Sequence, residues 1–356
     1  MSELHFHPDK EGRLMLPERC GIEVSCYETE EVRKAVSTVM EQILYALALV
    51  GMNLRALDGI TLSHDCRADA TALQRIPEGQ IPLEMSDQAD TMEMARTVAV
   101  WREKEMRFHI VLRAGVGLMV LSPDKDLQML AHACIAHEAA HVDHEGHLYQ
   151  TFPGAYGCPL ECGGRSRQTF LKAMDVWSEY AACRSSAMFR PEAVDEFERI
   201  FCRTLEESQT SSTAQITAFR HDRNAKDAFV GIQQLFGDMF IHAGYFLGHL
   251  DGLELTLEDH APRVSKLFQK HPTIHPLIVR LRRVLHELWL SEYAWQSIEV
   301  FTPIYDLIRE MMALHGLAFA RHEDEWRIVM CEDERATNAI QDALSAWITR
   351  PDESQG

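Results

Sequence analysis

The sequence predicts an α+β protein in which a short sheet packs on one buried helix and a mostly α-helical region follows. Helix and strand patterns alternate between residues 29 and 150, apolar residues are frequent from Leu127 to His147, and helical periodicity persists from Gln168 to His315. The 356 residues, 46% of them hydrophobic and 25% charged, are enough to bury a sizeable core.

The sheet is predicted from the first half of the chain. Its elements follow in this order: a helix capped by Thr29 and ending near Gly51, a strand over residues 59–64, a helix over 67–76, a loop over 77–91, and strands over 97–101 and 106–113 joined around Glu103 and Lys104. We expect the last two strands to form part of a small sheet beside the next helix.

The helix after these strands has its own start and stop signals. Ser122, Pro123 and Asp124 place a proline at its first helical position, and Gly146 offers a stop. The glycines and prolines of residues 151–167 then predict a loop.

The second half is predicted to be helical, with several breaks and a hairpin near its end. The breaks fall near Pro191, Thr210, Gly252 and Pro272–Pro276, and Gly316 is a further stop. Residues 317–331 fit a hairpin that turns at Glu323 and Asp324, and residues 335–348 fit a last helix.

Charge and composition restrict the kinds of binding partner and the cellular compartment that we expect for this protein. A formal charge of −19 argues against nucleic acid or an anionic membrane as the main partner, because phosphate binding requires a local excess of Lys and Arg. The apolar stretch Ile43–Met52 is shorter than the about 20 residues that a membrane span requires. Without a signal-peptide pattern, we expect a cytoplasmic protein whose nine cysteines are reduced. The sequence does not indicate an oligomeric state.

The candidate chemistry lies in His137-Glu138-Ala139-Ala140-His141, an HExxH motif. On a helix, residues i and i+4 lie one above the other, so His137 and His141 can bind one Zn²⁺ ion, with Glu138 beside it as general base. Zinc hydrolases use three protein ligands and leave one coordination position for water. In an apolar helix an uncompensated polar group costs about 2 kcal/mol or more, which favours a metal as the partner of these side chains.

Four candidates compete for the third ligand: His144, Glu145, His147 and a distant carboxylate. His147 has the spacing of an extended HExxHxxGxxH motif, but His144 occupies the position of its chain-turning glycine. Glu145 lies one turn beyond His141 along the same axis, which is too far for a compact tetrahedral site.

The distant carboxylate is Glu179, in the helical segment Asp175–Arg184. HExxH followed by a second helix that bears a glutamate resembles the gluzincin arrangement, and the strand–helix–loop–helix pattern is similar to the ImmA/IrrE-type peptidase domains. The resemblance covers about residues 55–191 and includes Glu179, Ala182 and Pro191. It implies Glu179 as the third zinc ligand and a peptide or protein as the substrate.

With this resemblance, the chain is divided into an N-terminal extension (1–28), a zincin-like metallopeptidase domain (29–191) and a mainly helical C-terminal domain (192–356). The helical domain has no counterpart in that family. Two other functions stay open: a regulatory or protein-interaction protein with a metallopeptidase-like zinc-binding domain, and a hydrolase of non-peptide substrates.

Several further residues are candidates for supporting roles. Asp175 could orient a ligand histidine through its second ring nitrogen, or form a cap or salt bridge. Donors to a tetrahedral intermediate could be Tyr156, Tyr180, His132 or Arg184. Cys158 and Cys162 are either free loop thiols or part of a second zinc site. His109 is expected to lie in the core.

Overall fold

The computed structural model describes residues 2–4, 15–73, 94–102, 105–153, 167–222, 225–322 and 325–330, and these form a mixed α+β protein. The chain divides into two compact units. One, the sheet unit, comprises residues 1–160 and 181–191, and the other, the helical unit, comprises residues 161–180 and 192–356. One long helix, Arg167–Ser186, contributes its first part to the helical unit and its last part to the sheet unit.

The sheet unit alternates strands and helices, as the sequence predicts. Its elements are β1 (Ser2–Leu4), β2 (Cys20–Glu23), α1 (Glu30–Leu49), β3 (Leu57–Ser63), α2 (Cys66–Leu73), β4 (Ala95–Arg102), β5 (Glu105–Arg113), α3 (Ala114–Met119) and α4 (Lys125–Thr151). The described sheet has the strand order β1-β2-β3-β5-β4, with β2, β3 and β5 parallel and with β1 and β4 antiparallel to their neighbours. Strand β4 therefore lies at one edge.

The two faces of the sheet carry different helices. Side chains alternate between faces along a strand, so neighbouring residues of β4 serve opposite sides. Val98 and Val100 join Val111 in an apolar cluster with Cys66 and Ala70 of α2. The opposite face of β4 and β5 packs against α4, which carries the HExxH motif.

A polar network ties three strands together on the α2 side. His109 is buried as predicted; one ring nitrogen lies 2.9 Å from Asp58 and the other lies 2.9 Å from the Thr61 hydroxyl. Arg102 donates two hydrogen bonds to the Asp58 carboxylate, each 2.9 Å long. The imidazole lies directly over Gly59, where an added Cβ would come within 2.9 Å of the ring.

Two of the sequence-based helix signals in the sheet unit were wrong in detail. Pro123 precedes the cap instead of occupying the first helical position, because Asp124 is the N-cap and accepts from the N–H groups of Asp126 and Leu127. Gly146 does not end α4, which continues to Thr151. Gly146 instead permits close packing, since a Cβ there would lie 3.1 Å from the Cβ of Ala56.

The described part of the helical unit runs from the first part of α5 (Arg167–Ser186) to a hairpin. Its other elements are α6 (Val194–Asp222), α7 (Ala225–Gly252), α8 (Leu257–His260), α9 (Pro262–Lys270), α10 (His275–Leu290), a 3-10 turn (Ile298–Phe301), α11 (Thr302–Leu314), β6 (Leu317–His322) and β7 (Glu325–Met330). The antiparallel β6–β7 pair confirms the predicted hairpin. Among the described helices, none has the length and apolar character to cross a bilayer.

The predicted breaks in this unit were largely confirmed, with one exception. The α-helices are interrupted around Pro191, where Pro191–Ala193 form a 3-10 turn, after Gly252 and before His275. The break near Thr210 was wrong, because α6 runs through it and the Thr210 hydroxyl donates to the carbonyl of Glu206, one turn earlier. The predicted loop at 77–91, most of the loop at 151–167 and the helix at 335–348 lie outside the described residues.

Helices α5 and α7 approach closely within the helical unit, and glycine permits the approach. A Cβ at Gly248 would lie 2.2 Å from the carbonyl oxygen of Tyr180, and a Cβ at Gly244 would lie 2.7 Å from that of Val176. These distances are far below van der Waals contact, and the obstructing atoms belong to the backbone. The close packing of α5 and α7 therefore requires glycine at positions 244 and 248.

We expect Gly248→Ala to lower the free energy of unfolding by about 1–3 kcal/mol, because α5 must move to make room. Gly237→Ala, on the same helix, is the matched control. Its Cβ would meet only the flexible side chain of Lys172 at 3.0 Å, so helix propensity can offset the crowding. Urea denaturation of both variants measures the difference, and equal stabilities would contradict this account of the α5–α7 contact.

Candidate metal centre

The two histidines of the motif converge on one point. His137 and His141 lie one turn apart on α4, and their Nε2 atoms are 3.1 Å apart. The rings are perpendicular, with centroids 4.7 Å apart. Two imidazole nitrogens in this arrangement can share one proton or bind one cation, and both side chains are partly exposed, so an ion has access.

Glu179 supplies the third atom of a candidate ligand group. An oxygen of its carboxylate and one ring nitrogen from each of His137 and His141 all lie within 4.8 Å of one another. Among the described residues, this is the one such group of three or more His, Cys, Asp or Glu residues. The structure thus brings together the two motif histidines and the glutamate that the sequence analysis selected.

The last turn of α5 is held against α4 inside the sheet unit. His144 Nε2 lies 2.8 Å from the Ser185 hydroxyl, and the same ring hydrogen-bonds the backbone of Ala181. Glu179 lies on the same helix, two residues before Ala181. His144, one of the rival ligands, therefore positions the helix that carries the glutamate.

Cys183 lies on the same side of α5 as Glu179, one turn later, and contacts a motif histidine. Its Sγ is 3.8 Å from His137 Nδ1, so the two ring nitrogens of His137 have different surroundings. Nε2 faces His141 and Nδ1 faces the buried sulfur. A partner on Nδ1 helps to fix the tautomer in which Nε2 keeps its lone pair for a metal. The i+4 spacing of Glu179 and Cys183 was a signal that the sequence analysis did not use.

The side chain of Glu138 contacts the sheet. Its side chain is only 7% exposed, and the Thr97 hydroxyl lies 2.8 Å from Glu138 Oε2 and 3.0 Å from the Glu138 carbonyl oxygen. Thr97 is on the edge strand β4, in the ladder position opposite Ile110. Sequence reasoning placed Thr97 in a strand but could not show that this strand faces the motif.

The other rival ligands have different surroundings. His144 is buried, and burial lowers its pKa to about 4, so it is neutral at pH 7. His147 lies 3.3 Å from the carboxylate of Asp143, one turn earlier on α4. Neither of these histidines joins the cluster of three ligand atoms, and neither does Glu145.

The residues considered for supporting roles lie in different parts of the chain, and some are not described by the structure. The Tyr180 hydroxyl donates to Asp251 at 2.6 Å in the helical unit, so it serves a structural contact there. Asp175 is exposed on α5, and His132 lies on α4 with its pKa lowered by burial. Arg184 is partly exposed near the end of α5. Tyr156, Cys158 and Cys162 lie outside the described residues.

His242 of α7 is a neighbour of Glu179 that the sequence gave no reason to select. Burial lowers the pKa of His242, while the carboxylates of Asp238 and Glu179 raise it by a smaller amount. The two residues are 63 positions apart on different helices, and only the packing of the helical unit relates them. The relation between His242 and Glu179 is thus an electrostatic one, which favours the protonated form of the histidine.

The donor set fits zinc. A tetrahedral ion with zinc–nitrogen bonds of about 2.0–2.1 Å would hold two ligand nitrogens about 3.3 Å apart, close to the observed 3.1 Å. Two imidazoles and one carboxylate are also the ligand types of catalytic zinc sites that keep a fourth position open. The described cysteines are all free thiols, and none joins this cluster.

Comparisons with protein-family models, with curated proteins and with solved structures found no match to this chain.

Proposed function

We propose that the protein is a zinc-dependent hydrolase, and specifically a peptidase with a zincin-like sheet unit. The observation that carries the proposal is the convergence of His137, His141 and Glu179 on one point, with the carboxylate of Glu138 next to His137 on the same helix. Three ligands plus an adjacent, non-ligating carboxylate are what metal-assisted hydrolysis requires.

In this proposal His137, His141 and Glu179 hold the ion, and Glu138 handles protons. Bound zinc would supply Lewis acidity, which makes water more acidic and polarises a carbonyl oxygen. Glu138 accepts the proton of the attacking water on a carboxylate oxygen and returns it to the leaving amine. Its position on α4, beside the ligands but directed at β4, keeps it out of the ligand set.

The position of β4 supports a peptide as the substrate. β4 is the edge of the described sheet, is paired only with β5 on its other side, and carries Thr97 in contact with Glu138. An extended peptide can add to such an edge through main-chain hydrogen bonds. A peptide bond bound there would lie alongside the general base.

The test is metal analysis combined with peptide cleavage. We expect purified protein to contain about one zinc per chain and to cleave members of a broad peptide library. A chelator should abolish cleavage, and added zinc should restore it. Zinc without cleavage would favour the regulatory, partner-binding alternative, and cleavage confined to non-peptide amides would favour the other metallohydrolases. A protein that binds no zinc would overturn the proposal.

A further inference from the structure

The buried carboxylate of Glu138 accepts a hydrogen bond from the hydroxyl of Thr97. Thr97 Oγ1 lies 2.8 Å from Oε2 and 3.0 Å from the main-chain oxygen of the same glutamate. Both contacts bridge β4 and α4, residues 41 positions apart in sequence. The hydroxyl thus links the carboxylate of Glu138 to the edge strand.

The threonine hydroxyl carries a single hydrogen, so it can donate to only one of these two oxygens at a time. Donation to Oε2 holds one carboxylate oxygen in place and leaves Oε1 available for water. When the carboxylate turns, the hydroxyl can donate to the main-chain oxygen instead. Thr97 therefore has two acceptors on Glu138, and donation to Oε2 is the arrangement that orients the carboxylate.

We propose that Thr97 is the positioning residue of the general base, acting from the edge strand β4 through the carboxylate of Glu138. The inference rests on the proposed function, since it assigns a partner to the base of that mechanism. Thr97 acts through its hydrogen bond to Glu138, which determines which oxygen of that carboxylate is presented to water or to another proton donor at the zinc. Because β4 is an edge, Thr97 also connects the base to the strand where a peptide would bind.

A second threonine of the same sheet provides a matched control. Thr61 on β3 is also hydrogen-bonded by its side chain, but its partner is His109, and it lies on the face that α2 covers. Valine has nearly the shape of threonine and lacks the hydroxyl. Thr97→Val and Thr61→Val therefore remove the same group from opposite faces of the sheet.

The experiment measures two properties of the full-length protein: zinc per chain, and the affinity of the zinc-loaded protein for acetohydroxamic acid. This small chelator must give up a proton when it binds the metal, so its affinity reports on a correctly placed base without a known substrate. We expect Thr97→Val to keep its zinc and to bind the hydroxamate roughly tenfold to a hundredfold more weakly, as for a lost hydrogen bond to a charged group. Thr97→Ser, which restores the hydroxyl, should bind within about threefold of the parent, and so should Thr61→Val.

Each outcome separates the inference from the function on which it rests. Equal hydroxamate affinity in the parent and in zinc-loaded Thr97→Val would overturn the role of Thr97 and leave the zinc site intact. Equal weakening in Thr97→Ser and Thr97→Val would also overturn it, because the hydroxyl would then be irrelevant. A parent protein without zinc would instead overturn the proposed function, and the inference with it.

Discussion

Replacing Glu138 by glutamine is expected to abolish hydrolysis and to leave about one zinc per chain. Glutamine keeps the size of the side chain and can still accept a hydrogen bond from Thr97, but its amide cannot take a proton from water. A positioned general base contributes typically about 10²–10⁴-fold to the rate, so turnover should fall by at least that factor. Zinc content by atomic absorption and cleavage of the best library peptide are the two measurements.

We expect Glu138→Gln to change turnover but not zinc content because Glu138 and the candidate ligands make different contacts. Glu138 contacts Thr97 on β4, whereas the three candidate ligand atoms come from His137, His141 and Glu179. Loss of zinc from Glu138→Gln would mean that Glu138 is itself a ligand. Retained turnover with zinc bound would remove Glu138 from the mechanism.

Replacing Glu179 by alanine is expected to have the second large effect, the loss of bound zinc. Two imidazoles alone leave the ion one ligand short of the three protein ligands of a catalytic site. The loss should exceed the about 10–100-fold that removing an outer-shell partner costs in metal affinity. Equilibrium dialysis against buffered zinc measures the dissociation constant, and activity should fall in parallel.

Glu145→Ala is the matched control for Glu179→Ala. Glu145 is also a partly exposed helical glutamate near the motif, one turn beyond His141, but it lies outside the ligand cluster. We expect this variant to bind zinc like the parent. If Glu145→Ala loses zinc and Glu179→Ala retains it, the third ligand comes from α4 itself and the two-helix site is wrong.

Local signals in the sequence predicted most of the sheet unit. The Thr29 cap, the β-branched runs of β3 and β5 and the apolar periodicity of α1 and α4 all depend on neighbours a few residues away, and they appear at nearly the predicted positions. Gly146 and Thr210 show the limit of such signals. Each has a local tendency to end a helix. However, α4 continues through Gly146, which packs close to Ala56, and α6 continues through Thr210.

The residues of the candidate site could be predicted where they follow helical spacing, and could not be predicted where only tertiary packing brings them together. His137 and His141 follow from i, i+4 spacing, and Glu179 was selected from a resemblance in the next helix. Thr97, Cys183 and His242 come from β4, from a later turn of α5 and from α7. The i+4 spacing relates Cys183 to Glu179, but no short-range pattern relates Thr97 to the motif or His242 to Glu179, because these pairs are brought together only by packing.

The polar network of Asp58, Arg102, His109 and Thr61 also affects the accuracy of strand alignment. Sliding β5 by one residue against β3 would turn His109 to the opposite face, away from both of its partners, and would leave Asp58 with only Arg102. An unpaired buried polar group is costly, so misaligned sheets are disfavoured more strongly than apolar packing alone would require. Correct alignment is also what turns Thr97, instead of Arg96 or Val98, toward Glu138. Side chains on the face away from the motif thus help to determine which residue meets the base.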